Sequence, residues 1–178
     1  GIRDYKVTGV QTCALPISFE KGETDMIISL PPQKITQMLE GRIDDFNSIP
    51  PKFIMKDNPM LISNYYFFNM HDERFKNLKV RQAFNYAIDK EKIGIDVLKN
   101  QFYELGYYGI TPPLKKILKG YDFDLIKKNG YAYNPELARK LLAEAGYPNG
   151  EGFGSVTLRI SQHEIQELVA EEFVQQIS

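Results

Sequence analysis

The chain has 178 residues, of which 43% are hydrophobic and 25% are charged, and its formal net charge at pH 7 is −1. This balance is typical of a folded globular domain and excludes the basic surface that binding to nucleic acid requires, so no nucleic-acid partner is expected. The two histidines and one cysteine are too few for a structural zinc site of about four ligands, so no metal site is expected either.

The N-terminal residues are interpreted separately from the rest. Gly1–Asp4 and Val7–Ile17 can be encoded, in one reading frame, by the two constant parts of a standard indexed sequencing adapter, and Tyr5-Lys6 fills the index between them. We therefore interpret residues 1–18 as a non-native segment, with Ser18 at the junction. The alternatives are a genuine loop or a signal peptide, but this stretch lacks the long apolar region and the small-residue cleavage site of a signal peptide.

Residues 19–60 predict one strand and one helix. Met26–Leu30 is a short apolar run that favours a buried strand. Pro31-Pro32 opens a helix, because proline is well tolerated at the first helical position, and Gly41 is a natural C-terminal stop. Arg42 to Pro51 is predicted to be a loop.

Leu61–Met70 is the strongest strand prediction, because it is rich in aromatic and apolar residues. Period-two alternation places Tyr65, Phe67 and Asn69 on one face, and Tyr66, Phe68 and Met70 on the other. The phenylalanines, with Phe84, are expected in the core. Tyr65, Tyr66 and Asn69 suit either a core or the wall of a binding cleft, because clefts combine aromatic surface with a few polar groups.

The next segments predict capped helices. Asn77 and Asp89 are N-cap residues for two successive helices, and Asn134-Pro135 is an N-cap followed by proline at the first helical position. The third of these helices ends at Gly146. The first has a complete amphipathic pattern of apolar residues, namely Val80, Ala83, Phe84, Ala87 and Ile88.

The remaining segments complete an α/β pattern. Gly106–Pro113 is a loop by its glycines and prolines, and Tyr107 and Tyr108 within it could reach a ligand, with Tyr108 taken as the candidate contact. Ser155–Ser161 alternates as a strand, and Glu164–Ile177 is a final amphipathic helix. The order of strands and helices predicts an α/β domain.

Motifs for catalysis are missing from the sequence. Gly150–Gly154 lacks the lysine and the spacing of a phosphate-binding loop, and His163-Glu164 lacks the second histidine of a metalloprotease helix. There is also no serine nucleophile elbow. We therefore predict a protein that is not an enzyme and that needs no cofactor.

Five segments in order resemble the family 5 solute-binding proteins, the peptide-binding components of ABC importers. Gly22–Asp25 is similar to the family's "GEID" strand entry, and Asn64–Asn69 to its "YYLGFN" segment. Lys79–Lys90 is nearly the family signature, Gly109–Pro113 is similar to its "GPIPP" loop, and Tyr133–Pro148 completes the series.

The resemblance implies part of a bilobal, periplasmic-binding-protein-like α/β fold of type II, in the peptide-binding class. Residues 19–60 would be the end of the first lobe and the crossing region, and residues 61–178 a second-lobe domain truncated at its C-terminus. In the family, the segment resembling Tyr65–Asn69 lies near the crossing between lobes. The resemblance therefore implies Tyr65, Tyr66 and Asn69 as ligand contacts, and Tyr108 stays a candidate from its place in the Gly106–Pro113 loop.

The same resemblance implies a function and a location. The protein would be a monomer that captures a peptide, of dipeptide or oligopeptide length, and hands it to the permease subunits of an ABC importer. It would act in the periplasm or outside the cell, either free or lipid-anchored to the cell envelope. The alternative is the ligand-sensing domain of a transcription regulator with the same fold. As part of a longer protein, the chain alone is expected to fold poorly.

Overall fold

The computed structural model describes residues 14–28, 30–56, 60–114, 117–161 and 163–178. They divide into two compact units, the first ending at Lys56 and the second beginning at residue 57. Most of the predicted adapter segment, residues 1–18, lies outside the described residues, which begin at residue 14.

The α-helices in the described ranges are α1 (Ala14–Glu20), α2 (Pro32–Asn47), α3 (Glu73–Lys76), α4 (Leu78–Ala87), α5 (Lys90–Lys92), α6 (Phe123–Lys128), α7 (Pro135–Glu144) and α8 (Glu164–Ile177). A π-helical turn, Ile93–Val97, continues α5, and a 3₁₀ turn, Pro148–Gly150, follows α7.

In the first unit, helix α2 extends beyond the predicted stop. The backbone of Arg42 leaves the helical region (φ −140°, ψ 26°), so the break after Gly41 is real, but the chain then rewinds as far as Asn47. The prediction of a loop from Arg42 to Pro51 was therefore wrong as far as Asn47. The Arg42 guanidinium lies 3.5 Å from Asp45 and 5.7 Å from the centre of the Phe53 ring, and these contacts hold the rewound turn.

Helix α1 precedes this unit's longer helix and includes residues 17 and 18. The predicted join between adapter and protein thus falls inside one helix. Phe19, just after the join, packs on Phe53 with ring centroids 5.3 Å apart. The join itself stays a prediction.

The three predicted strands are not strands in the structure. None of the described residues of Met26–Leu30, Leu61–Met70 or Ser155–Ser161 lies in a β-strand, and the described chain is helical. Residue 29, within the first segment, and residue 162, just after the third, lie outside the described ranges. Aromatic and β-branched residues indicate that a segment suits a sheet, but a strand forms only where a second strand accepts its backbone hydrogen bonds. No such partner is present among the described residues.

The predicted helix caps are confirmed. The side chains of Asn77, Asp89 and Asn134 accept hydrogen bonds from the backbone N–H groups of Lys79 (2.9 Å), Lys92 (3.0 Å) and Leu137 (3.0 Å). Each of these bonds satisfies a donor that the first turn leaves free.

Helix α7 ends in a Schellman motif. Gly146 has a φ of +99°, a conformation that favours glycine. Its N–H donates to the carbonyl of Ala143, and the N–H of Tyr147 donates to that of Leu142, each at 3.0 Å. The predicted stop at Gly146 is therefore confirmed.

The core of the second unit is a cluster of aromatic rings beside helices α4 and α7. Phe75, 4% exposed, lies 4.9 Å from Phe68, 5.5 Å from Phe84 and 6.2 Å from Phe153, measured between ring centroids. The predicted face of α4 is buried at Val80, Ala83 and, just past the helix end, Ile88. Phe68 and Phe84, which were expected in the core, belong to this ring cluster but are only half-buried.

Two polar contacts tie distant segments to this core. The Arg74 guanidinium donates to the carbonyls of Phe153 (2.6 Å) and Ser155 (3.0 Å), and it pairs with Asp72 at 2.6 Å. It also lies 5.0 Å from the centre of the Phe153 ring. Arg74 therefore holds the chain after α7 against α3.

Helix α8 is fixed near its end by Gln176. The backbone N–H of Asp89 donates to Oε1 of Gln176 at 2.6 Å, and Nε2 of Gln176 donates to Glu172 at 2.8 Å. Lys92 completes the contact with a 2.7 Å ion pair to Glu172. In the described part of the chain, no helix is long and apolar enough to cross a membrane.

Candidate functional site

A pocket of about 330 Å³ opens in the second unit where four segments meet. Helix α4 supplies Asn85, the start of α5 supplies Lys90, the loop after the π-helical turn supplies Tyr107, and the end of α6 supplies Asn129. Tyr131 and three glycines (106, 109 and 130) complete most of the wall. We call this the Lys90 pocket, since Lys90 is the one charged side chain among the described residues that line it.

Lys90 is held in place from two sides. Its Nζ donates to the backbone carbonyl of Tyr131 at 2.9 Å and lies 5.3 Å from the centre of the Tyr107 ring. A lysine at this distance from an aromatic face is attracted by the ring's negative face. Burial lowers the pKa of the Lys90 ammonium, and the nearby charge of Asp89 offsets part of that effect. The Lys90 ammonium is thus held in position by two contacts, and its positive charge is only partly balanced by Asp89.

Gly130 allows two of the pocket's segments to approach closely. A Cβ atom at this position would lie 2.6 Å from the backbone oxygen of Tyr107, which is too close for any side chain. The following residue, Tyr131, stacks edge-to-face on Tyr86 with ring centroids 5.1 Å apart. The backbone that receives the Lys90 hydrogen bond is therefore fixed by packing.

The predicted ligand contacts Tyr65, Tyr66 and Asn69 lie on one exposed segment, residues 60–70, but not on one face. Tyr65 is 58% exposed and its ring lies 6.2 Å from that of Phe67, which is 85% exposed. Tyr66 faces the helices, with its ring 5.4 Å from that of Phe173 on α8, and burial raises the pKa of its phenol. The expectation that Phe67 is in the core was wrong, because its ring lies beside that of Tyr65 on the exposed side of the segment.

Asn69 and Tyr108 are placed differently from the two tyrosines. The Asn69 side chain accepts a hydrogen bond from the N–H of His71 at 3.1 Å, so it shapes the turn into α3. Tyr108 is 6% exposed and packs on Phe123, with ring centroids 6.1 Å apart and Lys127 Nζ 5.7 Å from its own centroid. No ring contact of the described residues joins Tyr108 to Tyr65 or Tyr66.

Sequence reasoning named one lining residue of the Lys90 pocket, Tyr107, as a possible ligand contact, but it did not find the pocket. It treated Asp89 as a helix cap and Lys90 as part of a family signature, and it assigned no role to Gly130. The available signal was a lysine directly after a capping residue, followed by two tyrosine-glycine loops. Among the residues that the structure describes, no group of three or more His, Cys, Asp or Glu side chains could hold a metal ion.

Comparisons with known proteins give one consistent family. Residues 13–178 match the family described as bacterial extracellular solute-binding proteins, family 5 Middle. Heme-binding protein A of Haemophilus influenzae is 32% identical over 163 residues, covering 83% of this chain and 28% of that protein. No solved structure matches the chain significantly.

Two further relatives are named for a different ligand. Glutathione-binding protein GsiB of Pectobacterium atrosepticum is 37% identical over 99 residues, which is 56% of this chain and 18% of that protein. GsiB of Escherichia coli K12 is 35% identical over 95 residues, which is 52% of this chain and 16% of that protein. The chain thus spans less than a third of the length of each of these relatives.

Proposed function

The chain belongs to the family 5 bacterial extracellular solute-binding proteins, and we propose that it is part of the peptide-capturing component of an ABC importer. The family match over residues 13–178 is the observation that carries this proposal. A binding protein of this kind captures its solute outside the cytoplasmic membrane and delivers it to a permease. It acts as a monomer in the periplasm or outside the cell, free or lipid-anchored, and does not transform the solute.

Peptide is the ligand that the relatives support best. Two of them are named for glutathione, which is a tripeptide, and the third is named for heme. We therefore propose a ligand of dipeptide or oligopeptide length. Heme is the competing ligand, and it differs enough in size and apolar area for a direct test.

The exposed face of residues 60–70 supports solute binding. Tyr65 and Phe67 present two uncovered aromatic rings side by side. Aromatic surface with a few polar groups is typical of small-solute clefts, and large uncovered apolar side chains in a cluster mark interaction sites. We propose Tyr65 as the leading ligand contact, with Tyr66 and Asn69 beside it. Tyr108 belongs to the same proposal, although a ligand reaches its buried ring only if the loop 106–113 opens.

Calorimetric titration of the purified protein tests the ligand. We expect saturable binding of glutathione or of an alanine tripeptide, and none of hemin at the same concentration. Binding of hemin without binding of either peptide would overturn the peptide proposal while leaving the family unchanged.

A pair of tyrosine variants tests the site. Tyr65→Leu is expected to weaken peptide binding by about tenfold, since an aromatic anchor contributes on the order of 1–2 kcal/mol. Tyr103→Leu is the matched control, because Tyr103 is also exposed and is not proposed to touch the ligand. Equal affinities for the two variants would remove Tyr65 from the site.

A further inference from the structure

We propose that the Lys90 pocket binds the carboxylate group of a small organic acid. This site is distinct from the aromatic face of residues 60–70 and does not depend on the function proposed above. Its evidence is the charge, the geometry and the volume of the pocket.

The charge of the pocket calls for an anion. Lys90 carries three N–H donors, of which one is used by the Tyr131 carbonyl. Among the described residues, no carboxylate lies within ion-pair distance of Nζ, although Lys79 and Lys92 each have such a partner. A partly buried ammonium with no ion-pair partner is costly, although the nearby charge of Asp89 offsets part of that cost, and an anion seated in the pocket would lower it further.

The composition of the wall favours a carboxylate over a phosphate. A carboxylate matches the single positive charge of Lys90, whereas phosphate sites usually combine several cations or backbone N–H groups. Asn85 and Asn129 add side-chain amides, which can donate to a carboxylate oxygen. The amide of Asn85 is already oriented by a 2.8 Å bond to the carbonyl of Arg81.

The volume of the pocket limits the ligand to a small acid. Small-molecule sites range from about 300 to 1,000 Å³, and this pocket of about 330 Å³ lies at the lower end. The two tyrosines offer apolar surface to a short carbon chain. A competing role for Lys90 is purely structural, as a clasp between the loop at Tyr107 and the backbone of Tyr131. The two roles differ in what happens when an acid is added.

Binding of sodium succinate to the purified protein tests the site, with sodium chloride holding the ionic strength constant. We expect the wild-type protein and Lys119→Met to bind succinate equally, because Lys119 is an exposed lysine outside the pocket. Lys90→Met should bind about tenfold more weakly or worse, through the loss of a charge-assisted hydrogen bond. Lys90→Arg, which keeps the charge, should retain most of the affinity. Equal affinity for Lys90→Met, or no succinate binding by the wild type, would overturn the proposal.

Two further arms cover the alternatives. Sodium phosphate that binds as tightly as succinate would overturn the choice of a carboxylate. If Lys90→Met does not fold, as judged by its circular dichroism, Asn129→Asp decides instead. That substitution adds a negative charge at the pocket wall and is expected to weaken succinate binding about tenfold, since like charges repel at short distance. Unchanged affinity there would also overturn the proposal.

Competition identifies the source of the carboxylate. If a tripeptide acid displaces succinate and its C-terminal amide does not, the carboxylate belongs to the transported solute. If the tripeptide acid and its amide both bind without displacing succinate, the pocket takes a separate small acid. Either of these two results supports the site. Succinate binding by a protein that binds no peptide would overturn the proposed peptide ligand and leave the Lys90 site standing.

Discussion

Two neighbouring phenylalanines, Phe67 and Phe68, lie on opposite sides of the same segment. Phe68 is part of the ring cluster around Phe75, whereas Phe67 is exposed and contacts Tyr65. The odd-numbered rings face away from the helices and the even-numbered rings, Tyr66 and Phe68, face toward them. One segment thus contributes to the core with one face and offers an aromatic surface with the other.

The comparison teaches that aromatic content does not by itself distinguish stability from recognition. Both faces are built from the same residue types, and only their neighbours differ. Removing a ring from the inner face should therefore damage folding, and removing one from the outer face should leave folding intact.

Phe75→Ala gives the largest expected effect. Truncating this buried ring leaves a cavity between Phe68, Phe84 and Phe153, and such changes cost about 3–5 kcal/mol of unfolding free energy. Phe67→Ala is the matched control on the outer face and should change the unfolding free energy by less than about 0.5 kcal/mol. Urea unfolding followed by circular dichroism measures both, and similar losses for the two variants would break the distinction between the buried ring cluster and the outer face.

Arg74→Met is expected to have a smaller effect that sharpens the boundary of the inner cluster. The variant loses the bonds to the carbonyls of Phe153 and Ser155, so Phe153 is less firmly held against Phe75. We expect a melting temperature between those of Phe75→Ala and the wild type. Arg159→Met is the control, because it removes the same charge from an exposed position. If it lowers the melting temperature as much as Arg74→Met does, the loss of charge alone explains the effect.

Glu172→Gln is expected to have the smallest effect and to depend on pH. Hydrogen bonds from Lys92, and then from Gln176, hold the pKa of Glu172 below its usual range. The folded state therefore gains stability from the ionised carboxylate above the unfolded-state pKa of about 4.3, and loses it as the pH falls through the lower folded-state value.

Unfolding at a series of pH values measures this contribution. The variant should be less stable than the wild type at pH 7, and the difference should shrink as the pH falls below about 4. Glu171→Gln, a change at the exposed neighbouring glutamate, should show no such convergence. A difference that is constant from pH 7 to pH 3 would exclude the ion pair as its cause.

The caps and one stop of the helices were predictable from the sequence because their determinants are local. The caps at Asn77, Asp89 and Asn134 and the stop at Gly146 each depend on residues within one turn, and the structure confirms all four. Alternation correctly predicted the opposite sides of the four rings from Tyr65 to Phe68, whereas Met70, expected on the same face as Phe68, is 49% exposed. The strands were not predictable as such, since their formation depends on a partner segment that the sequence pattern does not identify.

The Lys90 pocket was missed for a related reason. Its four segments are brought together by α4, α5 and α6, and the close approach of Gly130 to Tyr107 joins positions 23 residues apart. No short motif contains both. The predicted contact Tyr108 is next to the lining residue Tyr107 in sequence, but its own ring turns to Phe123.

The outer face of residues 61–70 also has a consequence for solubility. Ten consecutive residues, LISNYYFFNM, contain no charge, no proline and no glycine, and none of them lies in a β-strand. Segments with this composition form intermolecular β-sheets readily when they are left uncovered. The surface that we propose for solute capture is therefore also the region where aggregation of this chain is expected to begin.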